Sequence, residues 1–354
     1  MAFRLFFFSI LLSFFSSDLY AQKEFNVSQI TVINMGDGRL LFREYSDEKP
    51  LSGEHRIIDG YRSEYILAEF SKGMYHGSHQ LFKHNQLREK GSYKEGRKDG
   101  KWEEYYSDGS LKNESHLKDG KLEGTRKTYF TSGKTESEVN YKNSEKHGKE
   151  LRYDYKDGKL KVDANYIDGK PDGKQIRHIS SNTGDYVQIE HYNKGVQTGD
   201  YSETYTNGKV KIEGKYKEGK KDGKWSEYRK DGKPNSEITY KSGKRNGETK
   251  TFYTDGSVEK IINYVNDVKE GITKEFYYDN GKLKSEHTYA DDKKEGKYKL
   301  YYDDGTLREE GRCENGNDVY RKEYYKNGQL KEIRERGNRG WETIESYDSN
   351  GNQK

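Results

Sequence analysis

Cysteine is almost absent: Cys313 is the only one in 354 residues. No intramolecular disulfide can therefore staple the chain, and stability must come from packing and hydrogen bonds. Proline occurs only three times. Apolar residues are few as well, 29% against 36% charged, and 32 Tyr make up much of that apolar share. A large dry core is excluded. Such polarity can signal disorder, but 14% aromatic residues and the scarcity of proline oppose it. No block of one charge sign exists either. Lys and Arg number 65 and Asp and Glu 61, a net charge of +4, with both signs interleaved as in "EVNYKNSEKHGKELRYDYKDGK". A nucleic-acid binder concentrates basic charge on one face, so no nucleic acid is expected as partner.

Familiar catalytic patterns are missing too. The nine His are scattered, and there is no H-E-x-x-H, C-x-x-C or G-x-S-x-G. "GKKDGKW" (Gly219–Trp225) has the wrong spacing for a phosphate loop and no Ser or Thr after its lysine. Pairs such as Glu103–Glu104 and Glu309–Glu310 point to opposite faces of a strand, so neither pair shares a site. Aspartates in "DDG" and "YDN" suit Asx turns without a metal. No metal, no cofactor and no enzymatic activity are expected.

Residues 1–21, "MAFRLFFFSILLSFFSSDLYA", differ from all that follows. Arg4, the apolar run Leu5–Phe15 and the small residues after it read as a secretory signal peptide cleaved after Ala21. The run is about half of the ~20 residues that a spanning helix needs. Export to the periplasm, cell surface or medium is the expectation.

What fills the rest is a repeat. "YKEGRKDGKW" (Tyr93–Trp102) returns as "YKEGKKDGKW" (Tyr216–Trp225). Glycines at 53, 77, 100, 124, 148, 173, 199, 223, 247, 271 and 296 recur every ~24 residues. A second glycine column, with Gly109, Gly133, Gly208, Gly256 and Gly305 among its members, follows Asp, Asn or Ser. Such pairs are strong hairpin signals. Between the columns lie short aromatic strands, "KWEEYY", "ETKTFY" and "KYKLYY". Beyond the second column come alternating strands such as "GKVKIEGKY", with Val210, Ile212 and Tyr216 on one side. Each unit reads as strand, tight turn, strand, polar loop. Cys313 falls in a column otherwise filled by Tyr and reads as a small apolar filler. If "SDG" forms a three-residue bulged loop, Tyr105 shares a face with Leu111; if "DG" forms a two-residue turn, Tyr106 does. The Tyr105 column is the steadier, which favours the bulged loop.

The expected fold is therefore all-β: an elongated antiparallel β-hairpin repeat array, a twisted meander or open solenoid sheet of about eleven to twelve units. At ~4.8 Å per strand it would extend on the order of 100 Å. Residues 22–52 read as an N-terminal β cap, 53–336 as the array, and 337–354 as a degraded C-terminal repeat or cap.

The units "GRKDGKWEEYYSDGSLKNE" and "DDKKEGKYKLYYDDGTLREE" resemble the MORN-repeat-variant family over roughly residues 53–351. Bacterial proteins of this kind are often labelled YwqK-type antitoxins, so the resemblance implies direct binding of a toxin. MORN-type repeats more broadly resemble scaffolds and have been linked to membrane lipid. The sequence thus predicts a non-catalytic exported scaffold that binds another protein or an envelope component along an aromatic sheet face. Toxin neutralisation is one alternative, and binding of envelope glycan or anionic lipid another. The candidate face is Tyr105, Tyr129, Tyr153, Tyr228, Phe252, Phe276, Tyr301 and Tyr324.

Overall fold

The computed structural model describes residues 23–182 and 184–354. The expected signal peptide and its cleavage point after Ala21 lie outside them. Among the described residues the fold is all-β, with one short 3-10 turn at Val27–Gln29. The strands form a long open meander in which each repeat strand pairs antiparallel with the next, as the glycine spacing predicts. The chain divides into two compact bodies. One holds the described residues up to Gly124 together with Thr131–Gly133, and the other holds Thr125–Phe130 and Lys134–Lys354.

The unit around Gly223 shows how sequence becomes structure. Lys220–Tyr228 runs into a loop at Lys230, Asp231 and Gly232 and returns as Pro234–Lys241. Arg229 N donates to the Lys233 carbonyl (2.9 Å), and Gly232 N donates back to the Arg229 carbonyl (2.8 Å). Gly232 has φ +85°, the left-handed conformation that closes a bulged loop. Asp231 Oδ1 accepts from Lys233 N (3.0 Å), and Asp108, Asp255 and Asp304 do the same for the residues two positions on. The bulged loop sets the register: Tyr105 stands opposite Leu111, Phe252 opposite Val258 and Tyr301 opposite Leu307.

The connection between hairpins departs from expectation. It is a second tight turn, not a polar loop. Glu95–Gly96, Glu218–Gly219 and Asn266–Asp267 have positive φ at both residues, the two-residue turn whose twist matches the flanking strands. The glycine four residues later is no loop residue. Gly148 (φ +96°) and Gly247 (φ +112°) lie within their strands, where the pairing slips. Ile238 faces Thr249 but Tyr240 faces Arg245, so Gly247 occupies a β-bulge. The acidic residue before this glycine serves the next turn. Asp172 Oδ1 accepts from Lys194 N (2.8 Å) and Glu295 Oε2 from Asn315 N (2.7 Å).

Among the described residues only the N-terminal body has a conventional core. Lys23–Asn26 runs parallel to Gly53–Asp59. Ile30–Asn34 and Leu40–Glu44 make a separate hairpin. Phe25, Ile30, Phe42 and Leu51 from this segment bury against Ile57, Ala68, Phe70 and Tyr75. Phe42 lies 5.2 Å from the Phe70 ring and 4.6 Å from that of Tyr75. The aromatic packing continues through Tyr93 and His79 to Trp102.

Candidate functional site

Side chains alternate along a strand, so residues two and five places after the bulge glycine lie on opposite faces. The aromatic residues expected to form a binding face occupy the fifth place. Tyr105, Tyr129, Tyr153, Tyr228, Phe252, Phe276, Tyr301 and Tyr324 are all half-buried there. Several hydroxyls are committed to neighbours. Tyr105 donates to Glu103, Tyr228 to Glu213 and Tyr324 to Glu310, each at 2.9 Å. Burial and then the facing carboxylates push the phenols of Tyr105 and Tyr324 up to about 12. Beside them runs a ladder of opposite charges: Lys149–Asp163 (2.7 Å), Lys224–Glu237 (2.7 Å) and Lys274–Glu286 (3.3 Å). Exposed pairs of this kind contribute at most about 1 kcal/mol each. They leave this face with its charges largely matched.

The other face carries the second place after the glycine. Glu150, Gln175, Trp225, Thr249, Thr273 and Tyr298 are buried there, and the largest rings of the row each have a glycine on one neighbouring strand. Trp102 packs over Gly91, Trp225 over Gly214 and Tyr298 over Gly311, where a Cβ would come within 2.4, 2.3 and 2.6 Å of the rings. Alongside runs the column Tyr166, Tyr240, Tyr264 and Tyr289, each opposite a bulge glycine.

Cations lie over these rings. Lys221 Nζ sits 4.1 Å from the Trp225 ring centroid and 5.2 Å from that of Tyr240; Arg245 is 3.9 Å from Tyr264 and Lys269 5.5 Å from Tyr289. In the N-terminal body Lys98 covers Trp102 at 3.7 Å. Sequence reasoning missed this arrangement. In the twin "KDGKW" stretches the bulge at the next glycine swings Lys98 and Lys221 over the indole. The signal was present in the recurrent Lys or Arg two places before the glycine, but its target depends on the bulge. Burial offsets the attraction at Lys221 and lowers its pKa.

Cys313 is buried opposite Gly296, as a filler should be, and its thiol donates to Asp318 Oδ1 (3.0 Å). Burial pushes the thiol up to about 12, which keeps it protonated and unreactive. His178 pairs with Val187 in its strand. Among the described residues no group of His, Cys, Asp and Glu is placed to hold a metal. None of their helices is long and apolar enough to cross a membrane.

Hairpins of similar length, closed mostly by two kinds of tight turn and stacked through like positions, define a β-hairpin repeat protein. Seven of its units match the MORN repeat variant, at residues 98–119, 122–143, 221–242, 245–266, 270–291, 294–312 and 318–336. No curated protein matches the chain. Solved structures align with it only loosely. The TcdB2-TccC3 structure aligns over 75% of this chain and 17% of its own, at 12% identity and a TM-score of 0.14. TcdB2-TccC3-Cdc42 aligns over 90% and 20%, at 10% identity and 0.13. TcdB2-TccC3-TEV aligns over 90% and 21%, at 10% identity and 0.16. The chain thus spans about a fifth of these much longer proteins, and similarity this low carries no argument about function.

Proposed function

We propose that the protein is an exported, non-catalytic repeat scaffold that binds an acidic protein partner along the face bearing the cation-covered rings. The observation that carries this reading is the recurrence of Lys221, Arg245 and Lys269 over Trp225, Tyr264 and Tyr289. Arg245 gives two donors to Asp267 (3.1 and 3.2 Å), but a cation over a ring is held in place and keeps further N–H donors for a carboxylate. Two strands separate successive positions, about 10 Å at ~4.8 Å per strand, a regular spacing suited to several contacts with one partner. The opposite face, with Lys–Glu pairs and Tyr–Glu hydrogen bonds already made, gains less from a charged partner.

The test is affinity capture on residues 22–354. The triple variant Lys221→Ala, Arg245→Ala, Lys269→Ala is expected to release a partner that salt also releases. Tyr105→Phe with Tyr324→Phe should retain it. The reverse pattern would place binding on the Tyr105 face. A partner identified as a toxin encoded next door would make the scaffold an immunity protein. Export is checked separately: the N-terminus of the chain recovered outside the cytoplasm should be Gln22.

A further inference from the structure

The row of buried side chains on the cation-bearing face is not buried in every repeat, and at one of them it holds a cation in a cleft. Two places after Gly124 stands Arg126, half-buried, where other units place Trp225, Gln175 or Tyr298. Its guanidinium has no hydrogen bond or ion pair among the described residues. Arg126 lines an open cleft of about 600 Å3 contained within the C-terminal body. That volume matches a small-ligand site of one or two rings, for which ~300–1,000 Å3 is usual.

The cleft is positive where it is not apolar. Arg152, Lys156 and Lys161 line it with Arg126, against Glu136 and Asp154. Asp154 is taken by Lys161 at 2.7 Å. Arg152 is drawn to Glu150 (2.6 Å), which also holds Lys146 (2.7 Å). Glu136 is exposed. Among the described residues Arg126 and Lys156 are the cations of this cleft without a side-chain partner, and of the two only Arg126 has a planar fork of donors. The apolar part is Val139, buried, and an aromatic pair in which Phe130 meets Tyr155 edge-on at 5.1 Å and 83°. Tyr155 is 58% exposed, although it is a large ring beside a cleft.

We propose that this cleft binds a uronic acid residue, with the sugar carboxylate on Arg126 and the sugar ring against Tyr155. A guanidinium matches a planar carboxylate with two parallel hydrogen bonds. An exposed phenol ring beside it offers a flat apolar surface to the C–H face of a pyranose. The site is independent of protein binding along the cation-covered rings.

The experiment is calorimetric titration of residues 22–354 with glucuronate, glucose and glucose 6-phosphate, with circular dichroism to confirm that each variant is folded. Glucuronate should bind saturably and glucose should not. Arg126→Gln should weaken glucuronate binding about ten-fold or more, because a charge-assisted pair is lost. Arg126→Lys should recover only part of it, and Tyr155→Ala should weaken it several-fold with Arg126 intact. Three results would overturn the proposal: no saturation by glucuronate at about 10 mM, equal or tighter binding of glucose 6-phosphate, or undiminished binding by folded Arg126→Gln.

Discussion

At Gly214 an added methyl would stand 2.3 Å from the indole of Trp225, a ring already packed against Tyr201 and Tyr216 at 5.2 and 5.1 Å. Gly214→Ala should therefore cost about 1–3 kcal/mol, since an overpacked ring must move. Gly60→Ala, which meets nothing within 4 Å, should be neutral. Urea midpoints of the two variants check this. A second residue-scale expectation concerns pH. Burial among Tyr75, Tyr93 and Trp102, and then the nearby charge of Lys98, hold the His79 imidazole down at about 4 from the usual 6.5. As pH falls through 6.5 the unfolded chain takes up a proton at this site, and the folded chain does not until about 4. Protons then favour unfolding, so stability should drop between those two values, by up to roughly 3 kcal/mol. His79→Phe should abolish that part of the slope. Denaturant titrations of both proteins across this range would show it, and identical slopes would refute it.

Each repeat is tied to the next at both ends of its strands. At the bulged loops Tyr253 donates to the Phe276 carbonyl, Tyr277 to that of Tyr301 and Tyr325 to that of Tyr347, at 2.7, 2.7 and 3.0 Å. At the two-residue turns Gly219 N donates to the Gln197 carbonyl and Gly243 N to that of Lys221. Tyr277→Phe keeps the ring and removes one tie, so it should cost about 0.5–1.5 kcal/mol. Faster amide exchange around Tyr301 than in the unsubstituted protein would confirm where the loss falls. The strands and bulged loops were legible in the sequence, because Asp231–Gly232 and its counterparts carry unambiguous turn chemistry. The bulge at Gly247 was not, because a glycine in a bulge and a glycine in a loop look alike until pairing shows which strand has the extra residue. That one point decided which face Lys98 and Lys221 serve.

On the scale of the whole molecule, a repeat array should respond to length in whole units. Deleting residues 247–270 joins Asn246 to Gly271, an equivalent position, and should leave a folded, cooperatively unfolding protein. Deleting half a unit removes one strand and leaves its neighbour running the wrong way, so it should unfold or aggregate. Circular dichroism and size-exclusion chromatography separate these outcomes. The period of the glycines, the polarity of the strands and the chemistry of the turns were enough to determine an all-β hairpin array without a large dry core, since all three are local. Which rings meet which cations, which glycines make room for an indole, and that Arg126 stands unpaired in a cleft were decided only by tertiary structure. Those contacts join residues from neighbouring strands, and one bulge shifts them all.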